Sequence, residues 1–160
     1  MTSAELYAKD FTAFDGKTSE QQLREIADRE EIRALVSRYA LGITRNFPVY
    51  DLFTEDAAFI DRIPGRPIRE FTSQAKLKAM YQAVPPSTPP LPMIHNHIID
   101  IQGDEATGIC SIEIRWVENG ESVISSGYYD DGYRRVNGRW MFSKRDVKFF
   151  HWVKLKEGWA

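Results

Sequence analysis

Residues 114–154 read IRWVENGESVISSGYYDDGYRRVNGRWMFSKRDVKFFHWVK, and two Asn-Gly pairs, Asn119-Gly120 and Asn137-Gly138, cut this run into strand-length pieces. A type I′ turn needs positive φ at both central residues, so Asn-Gly between aromatic and β-branched runs predicts a tight hairpin. Two such hairpins in succession predict a long antiparallel sheet that bends strongly. Arg115, Tyr129, Asp131, Arg145 and His151 are polar residues on strands expected to face a core. A sheet that keeps polar groups on its buried face encloses something.

Working outward, the strand pattern begins at Met93. Met93 to Ile101, Ala106 to Glu118, Glu121 to Val136 and Arg139 to about Leu155 are expected as four strands, the first joined to the second through Gln102-Gly103-Asp104-Glu105. Upstream the period changes. Ile32, Leu35, Val36, Tyr39 and Ile43 recur at helical spacing within a run from Glu20 to about Thr44, with Thr18 or Ser19 as its cap. Pro48 stops that run, and a short helix through Tyr50, Leu52 and Phe53 is expected, then a short strand from Ala57 to Asp61 and a turn at Pro64-Gly65-Arg66-Pro67. Thr72 or Ser73 can cap a further helix carrying Leu77, Met80, Tyr81 and Val84, and Pro85 to Pro90 is a stiff loop. Helices followed by an antiparallel meander give an α+β fold, with a curved sheet wrapped around N-terminal helices into a cone-shaped α+β barrel open at one end. Such a cone suits an apolar ligand with a few polar contacts. Residues 1–18 are expected to be an N-terminal arm or short helix, and residues 19–160 a single domain.

Composition narrows the function classes. The chain has 160 residues and a formal net charge of −2, with charges of both signs interspersed. No basic stripe marks a nucleic-acid partner. The single cysteine, Cys110, allows no internal disulfide, which fits a reducing compartment. The first residues lack the basic and apolar regions of a secretory signal, and no apolar run reaches membrane-spanning length. The expectation is a cytoplasmic protein without a membrane partner. Exposed aromatic residues on a curved sheet predict a homodimer or homotrimer.

Several residues could carry chemistry. Two-residue spacing puts His95 and His97 on one face with Ile99 and Ile101. His95 could be a general base; the competing reading is a hydrogen-bonded core histidine, which weighs more for His97. A metal would need a third ligand that the sequence does not name, so neither metal nor cofactor is expected. Period two groups Met141, Ser143, Arg145, Val147 and Phe149 if no bulge intervenes. Arg145 there is either an electrophile that steadies a developing anion or half of an ion pair with Asp51 or Asp56. Tyr39 could donate to a substrate oxygen or simply pack. Asp61, on one face with Phe59, could orient His95, act as a base, or lie in water at the strand end. Tyr129 and Asp131 share a face that is either the pocket wall or the outer surface. No Gly-rich phosphate loop, Gly-x-Ser-x-Gly elbow or cysteine pair is present.

Two stretches, Ala27 to Leu35 with Tyr39 and Leu52-Phe53-Thr54-Glu55-Asp56-Ala57, resemble the opening of SnoaL-like domains. These belong to the superfamily of nuclear transport factor 2, ketosteroid isomerase and scytalone dehydratase. His95, Ile101 to Gly108, Gly127 to Arg135 and Gly138-Arg139-Trp140 continue the resemblance, which spans roughly Ala27 to Phe150. The segment from Tyr133 to Arg145 is similar to the end of hexachlorocyclohexane dehydrochlorinase. The resemblance implies a cofactor-independent lyase or isomerase acting on a small apolar cyclic or polyketide-like substrate. It makes His95 the proton-abstracting base and Arg145 a pocket cation that helps the leaving group; beside them Tyr39 is expected to hold the substrate oxygen with Arg145, Asp61 to orient or tune the histidine, and Thr44, Phe59, Tyr129 and Val147 to bind the substrate. In that branch an aspartate late in the first long helix pairs with the histidine, and the matching position here is Thr44, which cannot supply that charge. Two other readings stand beside it. One is a non-catalytic ligand-binding or assembly module. The other is a small subunit like the β subunits of ring-hydroxylating dioxygenases.

Overall fold

Thr18 accepts from the Gln21 amide while the Gln21 side chain accepts from the Thr18 amide, and this reciprocal cap starts the long helix. A computed structural model of the protein describes residues 3–8 and 16–156. Within the arm expected over residues 1–18, Ser3–Ala8 form helix α1, which packs on the sheet through buried Leu6. Residues 1–2 and 9–15 of that arm lie outside the described residues. Helix α2 (Ser19–Thr44) buries Asp28, Ile32, Leu35, Val36, Tyr39 and Gly42, a stripe at three- and four-residue steps. A 3-10 turn (Val49–Leu52) leads to β1 (Phe53–Arg62), so Phe53 begins the strand, and β1 is longer than the expected Ala57–Asp61. A short strand, β2 (Arg69–Thr72), was not expected and precedes α3 (Gln74–Gln82), which Ser73 caps. Strands β3 (Leu91–Gln102), β4 (Glu105–Glu118), β5 (Glu121–Val136) and β6 (Arg139–Lys154) follow in the order of the meander.

The six strands form one sheet in the order β2-β1-β6-β5-β4-β3, antiparallel except for the parallel β1–β6 pair. Both Asn-Gly pairs adopt positive φ, at Asn119 (53°), Gly120 (78°), Asn137 (50°) and Gly138 (77°), as a type I′ hairpin demands. The sheet curls over α2, which is tied to it by charge as well as packing. Buried Asp28 accepts from Arg135 Nη2 (2.6 Å) on β5 and from Trp140 Nε1 (3.3 Å) on β6.

Three bulges decide which side chains point inward. On β3, pairing runs His95↔Ser111 and then Ile98↔Ile109, so one extra residue is inserted, with Asn96 at φ 53°. On β6, pairing runs Tyr133↔Phe142 and then Gly132↔Lys144, leaving Ser143 as the extra residue. The third lies at Ser126/Gly127, where β6 inserts Phe150 between the residues opposite. There the backbones approach so closely that a Cβ on Gly127 would sit 2.0 Å from the Lys148 carbonyl oxygen. Among the described residues no helix is long and apolar enough to cross a membrane.

Candidate functional site

The open end of the cone holds a cavity of about 410 Å³, lined from β1 by Phe59 and Asp61, from α2 by Tyr39 and Ile43, and from α3 by Met80 and Tyr81. Tyr129, Val147, Phe149, Ile114, Trp116 and Trp152 form the sheet wall, and Arg66, Arg69 and Glu118 add charge. The volume falls within the range of small-molecule pockets. Register explains the wall. Cys110, Tyr129, Val147 and Asp61 are successive cross-strand partners, and so are Gly108, Asp131, Arg145 and Phe59 in the neighbouring row. Directly opposed residues share a face, so the sheet delivers both rows to its concave side.

The first row supplies Asp61 and Tyr129 to the cavity, α2 supplies Tyr39 and α3 supplies Tyr81. The Tyr81 hydroxyl donates to the Tyr39 hydroxyl at 3.0 Å, and the Tyr129 hydroxyl also interacts with Tyr39. Burial raises the Tyr39 pKa above the ordinary phenol value, while the nearby Arg145 charge pulls the other way. Burial holds Tyr81 and Tyr129 well above it. Asp61 is 6% exposed. Its Oδ2 takes the guanidinium of Arg69, with Nε at 3.1 Å, and its Oδ1 has no partner among the described residues. Arg66 binds Glu118 through two contacts of 2.8 Å and lies 4.7 Å over the Trp152 ring, whose Nε1 donates to the same carboxylate.

The second row lies deeper and is ionic. Arg145 is 0% exposed and is not part of the cavity lining. Its Nε and Nη2 donate to the two oxygens of Asp131 at 3.1 and 2.9 Å. Its guanidinium carbon sits 4.1 Å from the Tyr39 ring centre, 3.7 Å from that of Tyr129 and 4.4 Å from that of Phe142. Burial opposes the guanidinium charge, but the facing Asp131 carboxylate outweighs it and keeps Arg145 protonated, well above its usual range. Tyr133 donates to Asp131 at 3.0 Å and meets His97 Nε2 at 3.1 Å. Burial, then the charges of Arg145 and Arg33, lowers the His97 pKa to about 4. Burial lifts the neighbouring Cys110 thiol to about 12, so it is an inert core group.

Of the residues singled out in the sequence, Tyr39, Asp61, Phe59, Tyr129 and Val147 meet at the cavity. Arg145 lies beneath them, and its partner is Asp131, not Asp51 or Asp56. Thr44 ends α2, where its hydroxyl donates to the carbonyls of Ala40 and Pro90, both at 3.2 Å. His95 is not brought to the cavity. It is exposed, opposite Ser111, and it borders a surface groove between α2 and β3. The β3 bulge is the reason: with one extra residue inserted, His97, which borders the same groove, turns its Nε2 in to Tyr133 while His95 stays outside opposite Ser111, so the shared face expected for them does not form. Gly108 leaves room for that inward ring, since a Cβ there would lie 2.9 Å from His97 Nε2. Arg115 and His151 are likewise exposed. The Ser143 bulge also undoes the expected grouping, because Phe142 is buried where Met141 and Ser143 are not. Tyr81, Trp116, Trp152 and the pairs Asp61–Arg69 and Arg66–Glu118 were not singled out as site residues. Among the described residues no cluster of three or more His, Cys, Asp or Glu side chains could hold a metal.

Comparison with known proteins gives this geometry a family. The chain is similar in structure to a hexachlorocyclohexane dehydrochlorinase, LinA type 2, with a TM-score of 0.74 and 20% identity, over 87% of this chain and 97% of that one. It is also similar to a candidate scytalone dehydratase from Novosphingobium aromaticivorans (TM-score 0.70, 20% identity, covering 89% and 95%). A candidate aromatic ring hydroxylase from the same organism aligns with a TM-score of 0.71 and 24% identity, covering 81% and 94%. At these identities the likeness is one of fold. No curated protein matches the chain. The model of the SnoaL-like domain matches residues 24–146, which span α2, the cavity walls and most of the sheet, and the chain belongs to the SnoaL-like domain family.

Proposed function

We propose that the cavity binds a small, largely apolar cyclic or polyketide-like molecule and moves a proton on it without a cofactor, as a lyase or isomerase of the dehydratase-like kind. One observation supports this above the others: a buried carboxylate with an unpartnered oxygen, Asp61, lines the same aromatic cavity as the hydrogen-bonded hydroxyls of Tyr39 and Tyr81. Asp61 Oδ1 takes a proton from a carbon next to a carbonyl. Tyr39, whose oxygen already accepts from Tyr81, gives its own hydroxyl hydrogen to the carbonyl oxygen as negative charge builds there. Return of the proton to a second carbon completes an isomerisation. Loss of a β-hydroxyl as water, which leaves with the proton that Asp61 took while the enol oxygen returns its hydrogen to Tyr39, completes a dehydration. Arg69, on the other oxygen of Asp61, keeps the carboxylate in place.

The test does not need the natural substrate. The protein is incubated in D₂O with a panel of cyclic ketones and hydroxyketones, and exchange of carbon-bound hydrogen is followed by NMR. The expected result is exchange by the intact protein and a loss of about 10²–10⁴-fold in Asp61→Asn. Binding of a panel member with no exchange above solvent, or equal exchange by a folded Asp61→Asn protein, would overturn the proposal. Binding without exchange is the outcome of the second reading, a ligand-binding module. That reading is favoured by the absence of histidine from the cavity lining and by the Thr44 hydroxyl being occupied by backbone carbonyls. We also propose a homodimer or homotrimer through the outer sheet face, where Phe150 is 57% exposed and packs at a tilt against Tyr128; a monomer in sedimentation at high concentration would refute it.

A further inference from the structure

We infer that Arg145 is a positioning residue which never touches the substrate: clamped by Asp131 beneath the cavity floor, it acts through the rings of Tyr39 and Tyr129 to fix their hydroxyls and strengthen them as donors. The inference rests on the reading of the cavity given above, but its observations are separate. Arg145 is fully buried and absent from the cavity lining, while two cavity-lining rings lie within 4.1 Å of its guanidinium carbon. A cation against an aromatic face is attracted by the ring quadrupole, and desolvation strengthens that attraction. The planar guanidinium fits between flat rings, where a lysine ammonium would not.

The rest of the buried chain holds this cation in one place. Asp131 stands directly across the strand pair from Arg145 and engages two of its nitrogens. Tyr133 donates to Asp131 Oδ2, the oxygen that also takes Arg145 Nη2, and His97 meets Tyr133 behind it. The clamp leaves Arg145 Nη1 without a hydrogen-bond partner by ordinary geometry among the described residues; beside the Cys110 thiol, which also interacts with the guanidinium, the rings supply the remaining contact. A positive charge this close to a phenol favours its phenolate, and a phenol that ionises more readily donates a stronger hydrogen bond to a developing oxyanion. The groups facing Tyr39 are Arg145 from β6, Asp131 and Tyr129 from β5 and Tyr81 from α3; Phe53 from β1 adds no charge. Of these Arg145 is the positive one.

The test reads the phenol itself. A fluorinated, more acidic tyrosine is placed at position 39 by suppression, so that it ionises within the folded range, and its ¹⁹F resonance is titrated in the otherwise intact chain. The same titration is made in Asp131→Asn combined with Arg145→Met, which removes both charges and leaves neither ion alone. The expected result is a midpoint at least one pH unit higher in the double variant, a tenfold weaker acid. Affinity for naphthalene, which needs no donor, should stay within threefold. An unchanged midpoint in the folded double variant overturns the inference. If the double variant does not fold, the intact chain decides: ¹⁵N resonances of the Arg145 guanidinium should move with the ionisation at position 39, and resonances that stay flat overturn it. These readouts need no turnover. A chain without exchange activity but with a displaced midpoint rejects the enzyme and retains the role of Arg145. An active chain with an unmoved midpoint does the reverse.

Discussion

The two ends of the cone handle polar burial in opposite ways. At the closed end Arg145, Asp131, Tyr133 and His97 are joined in one hydrogen-bonded chain, Arg145 Nη1 alone lies among rings without a partner in the described residues, and water does not reach the Arg145–Asp131 pair. At the open end the pairs Asp61–Arg69 and Arg66–Glu118 each keep the arginine partly in solvent, Arg69 59% and Arg66 42% exposed at the side chain. The closed end can therefore be rigid without a ligand. The open end carries an unfinished hydrogen-bond set at Asp61 and has something to gain from one. A fold that must bind or turn over a small molecule benefits from this division, because a fixed floor orients whatever enters a more adaptable mouth.

The largest effect should separate the two ends by stability alone. Arg145→Ala or Asp131→Ala leaves a lone charge in a site that admits no water, and the expected cost is about 3–5 kcal/mol. Arg69→Ala strips the buried Asp61 carboxylate of its cation, but that carboxylate opens onto the cavity and can take up water, so a smaller loss of about 1–3 kcal/mol is expected. Urea denaturation of the three variants measures both. A loss of similar size at both ends would erase the contrast. Removing Arg145 and Asp131 together in favour of apolar residues should cost much less than either alone, since well-packed apolar substitutes often match a buried pair.

The same division governs what could be read from the sequence. The α+β order, the capped long helix and both Asn-Gly hairpins follow from local rules, and local rules hold wherever one residue's φ or one period decides. Tyr39, Phe59, Asp61 and Val147 can be grouped by helical or two-residue period, whereas period alone leaves the face of Tyr129 open between pocket wall and outer surface. The ion pair does not follow from local rules. Counting back from Val136↔Arg139 without interruption would place Arg145 opposite Asp130; only the extra residue at Ser143 moves it opposite Asp131. The separation of His95 from His97 has the same origin in the β3 bulge. Asn96, which tolerates positive φ, is compatible with that bulge but does not announce it. Tyr81 stood in the helical stripe as one more core ring, and nothing nearby in sequence says that its hydroxyl finds Tyr39.

A second prediction uses pH to sharpen the contrast. The ordinary histidine value is 6.5, and His97 in the folded protein sits at about 4. Facing it are Arg33 from α2, Arg145 from β6 and Tyr133, with Asp131 behind, from β5. Because the folded value is the lower one, the unfolded chain takes up a proton between pH 6.5 and 4 that the folded chain refuses. The stabilisation is complete above 6.5 and is lost as pH falls towards 4. At about 1.4 kcal/mol per pH unit, the loss from this group is on the order of 2–3 kcal/mol. His97→Gln, which can still reach the Tyr133 hydroxyl, should flatten that part of the stability profile in thermal melts across the window. An equally steep profile in the variant would assign the acid sensitivity to other groups and loosen His97 from the closed end.

The smallest effect belongs to the mouth. Thr44 shares its hydroxyl between Ala40 and Pro90, and Asn46 donates to Pro86 at 3.1 Å, so two side chains at the end of α2 hold the proline-rich loop beside the cavity. Thr44→Val keeps the shape and removes the hydroxyl. A net intramolecular hydrogen bond is worth about 0.5–1.5 kcal/mol, and the Pro90 carbonyl, only partly buried, can turn to water once released, so the lower half of that range is expected. Hydrogen exchange should then quicken at the amides of Ser87, Thr88 and Leu91 and not at Asp131 or Arg145. A cost near that of Arg145→Ala, or faster exchange reaching β5 and β6, would mean that loop and floor open as one unit. The mouth would then be no more adaptable than the floor, and entry to the cavity would require the whole cone to loosen.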